Sequence, residues 1–151
     1  MKPLKLIGLT MVVVLVGIQF VPIRYNQTME LLSTDFVLVY KVPEKMGRVL
    51  QTSCYNCHSN NTNYPWYSRV QPVGWVLENH INRGKAELNF SEFGSYSVRK
   101  QKSKLKSMTN QIEKDEMPLS SYTFIHHEAR LSAESKKAIV DYLNTLRDSL
   151  L

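Results

Sequence analysis

Cysteine is nearly absent: the 151-residue chain has two, Cys54 and Cys57. A secreted scaffold stapled by disulfides needs more of them, more widely spaced, so that class is excluded. Acidic residues are missing from the N-terminal part, where none precedes Glu30. No internal repeat, no low-complexity tract and no convincing sheet pattern is found. Excess charge is also small. The formal net charge is +6, but Lys2, Lys5 and Arg24 lie in the leader, so the chain from Tyr25 onward carries a net +3. That is far below the density of a dedicated nucleic-acid binder, and no nucleic-acid partner is expected. No constellation of acid and base residues marks an enzyme site.

What is present begins with residues 4–23, one apolar stretch whose only charge is Lys5. Its length suits a helix crossing the hydrocarbon core. Lys2 and Lys5 favour a cytoplasmic N-terminus with the rest translocated; Arg24 weakens that asymmetry. A cleaved signal peptide is the alternative, but residues 17–22 offer no A-x-A pattern. A signal anchor is therefore expected over residues 1–24. The exported part follows, in bacteria on the periplasmic side of the inner membrane, or secreted if the leader is cleaved.

The exported part divides into a linker or first helix over 25–42 and a domain over 43–151. Residues 36–40 are apolar without helical period and read as a buried turn or strand-like segment. Pro43 and Glu44 suit a helix start, and that helix runs to about residue 52. Residues 60–72 read as a loop. Residues 73–82 read as a helix stopped by Gly84. Residues 89–97 form a loop with a helix start at Ser91 and Glu92. Residues 98–113 form a basic amphipathic helix with Leu105, Met108 and Ile112 on one face. Residues 115–128 read as a second loop, broken by Pro118. Ser132 caps the last helix, striped by Ala138, Ile139, Tyr142, Leu143 and Leu146. The fold class is mostly α, and loops this long in a small domain must pack on something large.

The decisive motif is Cys54-Tyr55-Asn56-Cys57-His58. C-x-x-C-H is the attachment signature of c-type haem. On one helical turn, cysteines three apart point the same way and can each join one vinyl group of a porphyrin. His58 then sits beneath the ring and presents its imidazole to iron. A chance match in a chain this long is rare, on the order of one in a thousand. A thioredoxin-like dithiol lacks the surrounding βαβ pattern. A zinc site would need His80, His126 or His127 to complete four ligands.

Met117, followed by Pro118, is the expected sixth ligand: a soft thioether that favours reduced iron, in a loop stiffened by proline. Its flanks, Glu116 and Ser120-Ser121, do not suit core packing. His80 is the rival. Trp66, Tyr67 and Trp75 are large and flat and follow closely on the motif, suited to a porphyrin face or edge. Arg69 or Lys85 could pair with a propionate.

These residues together resemble a known family. The stretches 54–60, 64–67 and 71–75, with His80, Gly84-Lys85 and 88–91, are similar to the bacterial haem-binding domain family of cytochrome-c-like proteins. So are residues 116–119 with Tyr122. The resemblance covers about residues 42–146. It implies a small, mostly helical, cytochrome-c-like domain around one haem, often tethered at its N-terminus, without a defined reaction. It also makes His80 a family position, a ligand or propionate neighbour.

The expected function is haem binding with single-electron transfer between redox partner proteins, the membrane being engaged through residues 4–23. One C-x-x-C-H means one haem c. Arg99, Lys100, Lys102, Lys104 and Lys106 form a basic face able to meet an acidic partner or anionic lipid. A gas or redox sensor, or a minor peroxidase, would need a labile sixth site. A non-haem dithiol or zinc protein is the remaining alternative.

Overall fold

The computed structural model describes residues 3–28 and 30–151. Lys2, read above as orienting the N-terminal span, lies outside the described residues, as does Met29 in the segment read as linker or first helix. Every regular element among the described residues is helical; the sole extended pairing there is an isolated bridge between Gln27 and Asn61.

Helix α1 (Pro3–Gly17) runs into a 3-10 turn at Ile18–Phe20. Together they make an apolar rod of 18 residues, none of it buried in the protein. At 1.5 Å per residue that is about 27 Å, close to the thickness of a bilayer core. Such a helix is long and apolar enough for a membrane anchor, and a signal sequence has the same character.

Residues 36–40 are not strand-like: α2 (Phe36–Val39) is a short helix. The Asp35 carboxylate accepts the Val37 N–H at 2.9 Å and so satisfies a free donor of the first turn. This cap decides the conformation where apolar periodicity was silent. It drives Phe36 into the core, edge-on to Phe93 at 5.0 Å.

Helix α3 (Glu44–Leu50) starts after Pro43, as expected. It does not stop near residue 52. It widens into a π turn at Gln51–Tyr55 and tightens again as α4 (Asn56–His58). Helix α5 (Val73–Glu87) passes through Gly84 without stopping there. The expected stop fails because Gly84 serves close packing, described below. A 3-10 turn, Phe90–Ser95, follows, with the Asn89 side chain accepting the Ser91 N–H.

Helix α6 (Val98–Glu113) has the bounds its periodicity predicts, with Leu105, Met108 and Ile112 buried. It ends in a Schellman turn. Asp115 takes the left-handed conformation at φ 58°, and Glu116 N–H returns to the Gln111 carbonyl at 2.9 Å. The region expected to be loop then holds α7 (Ser120–Ile125). Helix α8 (Ala133–Ser149) is capped by Ser132, which accepts the Ser135 N–H. Helices α6 and α8 form the most extensive pairing, around Leu105, Ile139 and Leu143. The apolar core runs from there to Phe36, Leu50 and Phe90.

Candidate haem site

The motif lies on a continuous helical run from Glu44 to His58. The π turn inserts one extra residue per turn, a feature concentrated at functional sites. Tyr55, between the two cysteines, anchors the run. Its ring stacks on Phe90 at 4.7 Å, and its hydroxyl donates to the Asp35 carboxylate at 2.9 Å. Burial pushes the Asp35 carboxyl above its usual range.

Helix α5 crosses directly against this turn. A β-carbon on Gly84 would meet the Cys57 carbonyl oxygen at 2.7 Å, so only glycine allows the approach. The chain then turns back, and the Leu88 carbonyl oxygen sits 3.1 Å from His58 Nδ1. A carbonyl only accepts, so Nδ1 carries the proton and Nε2 keeps its lone pair. This is how proteins orient a metal-binding imidazole. Burial also holds the His58 pKa below its ordinary value, which favours the neutral ring, against a smaller upward pull from the Leu88 and Gly84 carbonyls.

Cys54, Cys57, His58 and Met117 meet at one cleft with two adjoining lobes, of about 70 and 310 Å³. Cys54, His58 and Met117 line both lobes, and Cys57 lines the larger. The smaller lobe is walled by Leu88, Phe90, Met108, Ile112 and Leu131. The larger opens past His80, Arg83, Glu87 and Tyr122. The space is mainly apolar with a few polar groups at its rim, as cofactor sites are. Burial pushes the Cys54 thiol up to about 12, with Cys57 adding to the shift, and raises the Cys57 thiol as well. Dithiol exchange needs a thiolate, which this environment disfavours. Among the described residues no group of three or more His, Cys, Asp or Glu is placed to hold a metal ion by itself.

These features match a known pattern. The family model described as haem-binding domain matches residues 13–145. The chain belongs to this family. Comparisons with curated proteins and with solved structures find no match.

The residues of this haem-binding domain fit the group. Two neutral thiols and an oriented imidazole face an apolar cleft, with a thioether on its lining. His80 is exposed and lines the larger lobe. The aromatic trio is placed differently. Trp66 is 79% exposed, and Trp75 donates to the Val21 carbonyl at 3.3 Å; neither lines the cleft. Tyr67 also stands off the lining, its hydroxyl 2.6 Å from His126 Nε2, while His126 Nδ1 lies 3.1 Å from Glu128. Lys85 donates to Asn26 at 2.6 Å, and Arg69 is exposed. Arg83 is the cation on the cleft, overlooked in the sequence; its spacing from His80 and Glu87, three before and four after, places all three on one helical face. Leu88 was invisible as well, because its backbone carbonyl does the work.

Proposed function

We propose that this haem-binding domain is a membrane-anchored c-type cytochrome that carries single electrons. It holds one haem c through thioether bonds at Cys54 and Cys57. His58 and Met117 would bind its iron. The observation that carries it is the convergence of both thiols, the His58 imidazole and the Met117 thioether on one apolar cleft. When bound, the group supplies a one-electron iron couple, whose potential a thioether ligand raises.

The chain's own residues do the rest. Leu88 fixes the His58 tautomer. Leu88, Phe90, Met108, Ile112 and Leu131 keep water from one side. Arg83 at the rim suits a propionate carboxylate. The apolar rod Pro3–Phe20 supports anchoring, with the domain on the far side of the bacterial inner membrane. An acidic redox protein fits the basic outer face of α6.

The test is the full chain made with a haem-maturation system. Haem staining that survives denaturing electrophoresis, and a low-spin reduced spectrum unaltered by carbon monoxide, are expected. Loss of haem on denaturation sinks the covalent reading. Ready carbon monoxide binding replaces electron transfer with sensing or peroxidase chemistry.

A further inference from the structure

The anchor rod does not leave the domain through a free linker. Its last turn is bonded to the segment just before α5. Gln19 Nε2 donates to the Gln71 carbonyl at 3.1 Å, and Gln71 N–H donates to Gln19 Oε1 at 2.9 Å. Gln71 Nε2 and Trp75 Nε1 both donate to the Val21 carbonyl, at 3.2 and 3.3 Å. Gln19 belongs to the apolar rod, one residue from its end. A rod in a bilayer therefore holds residues 66–76 at the depth where it emerges.

Several large apolar side chains in and next to that junction are exposed. Phe20 is 82% exposed, Trp66 79%, Val76 54%, and Val70 and Val73 45% each. An aqueous surface gains nothing from such a cluster, whereas the interfacial layer of a bilayer favours Trp and tolerates valine. Arg24 and Arg69, both exposed, lie close by in the chain and suit lipid phosphates.

We propose that the haem-binding domain docks on the bilayer through this face, with Trp66, Val70, Val73 and Val76 in the interfacial layer. The occupant is the phospholipid surface into which the rod inserts, and the clamp of Gln19 on Gln71 sets its orientation. The proposal rests on the anchor reading. Docking turns a swinging tether into one fixed presentation of the domain to its partners.

Spin labels on single cysteines test it in the full haem-loaded chain, in vesicles of phosphatidylethanolamine and phosphatidylglycerol. Val13→Cys reports insertion of the rod, Trp66→Cys and Val73→Cys report docking, and Thr145→Cys on α8 is the aqueous reference. Labels at 13, 66 and 73 are expected to lose collisions with a water-soluble nickel chelate and gain them with oxygen, relative to 145. A shielded label at 13 with 66 and 73 as wet as 145 overturns docking and leaves the anchor standing. A wet label at 13 overturns both.

Discussion

A β-carbon on Gly84 would stand 2.7 Å from the carbonyl oxygen of Cys57, so α5 and the cysteine turn meet backbone to backbone. The other near atoms are also Cys57's, and a peptide carbonyl cannot swing aside as a long side chain does.

Gly84→Ala is therefore expected to be destabilising despite alanine's better helix propensity. Overpacking costs about 1–3 kcal/mol, and the propensity gain of about 1 kcal/mol offsets part of it. A lower urea midpoint and reduced haem loading check this. An unchanged midpoint with full loading would show that α5 can shift freely.

Met117→Ala is expected to abolish the sulfur-to-iron charge-transfer absorption and to open the reduced protein to carbon monoxide. His80→Ala is expected to leave both readouts intact. The reverse pattern transfers the sixth-ligand role to His80, which also lines the cleft.

Asp115 holds the left-handed position that ends α6 and sets the path toward Met117. Asp115→Ala is expected to cost about 1 kcal/mol in backbone strain. Loss of its exposed ion pair with Lys136 adds at most about 1 kcal/mol. Asp115→Gly removes the strain and loses only the pair, so it should melt above the alanine variant. Equal melting of the two variants would refute the strain argument.

Asp35 has its pKa raised by burial, against lowering hydrogen bonds from Val37 and Tyr55. The folded state thus binds this proton more tightly than the unfolded one. That contribution to stability is present below the ordinary carboxylate pKa and is lost as pH rises through the raised value. Asparagine still accepts from Val37 N–H and the Tyr55 hydroxyl. Asp35→Asn is expected to raise the urea midpoint at neutral pH and to match the parent in acid. A lower midpoint at neutral pH would mean that the charged form is the favoured one.

The parts legible in the sequence were those written in side-chain spacing. Leu105, Met108 and Ile112 gave α6, and Ser132 gave the start of α8. Cys54, Cys57 and His58 pointed to haem, and the family match bears out a haem-binding domain; covalent attachment at the two cysteines belongs to the proposal. What escaped was decided by backbone groups and single contacts. Asp35 capping turned residues 36–39 helical. Gly84 reads as a helix stop until its neighbour across the interface is known. Trp66 reads as a porphyrin wall, yet closeness along the chain is not closeness in space, and it is exposed and off the cleft lining. Residues 120–125 lack the long periodic stripe of α6, so their short helix reads as loop.

Of the cleft's walls, one comes from residues 53–58 and a second from residues 108–118. These walls are far apart along the chain. A group bonded at Cys54 and Cys57 travels with the first wall even when the chain is unfolded. Closing the second wall over it is then a unimolecular event, with an effective concentration set by the intervening chain. Melting should not depend on dilution or on free haem. With both cysteines replaced by serine, the same cleft becomes an ordinary mass-action binder, and its melting temperature should climb as haem is added.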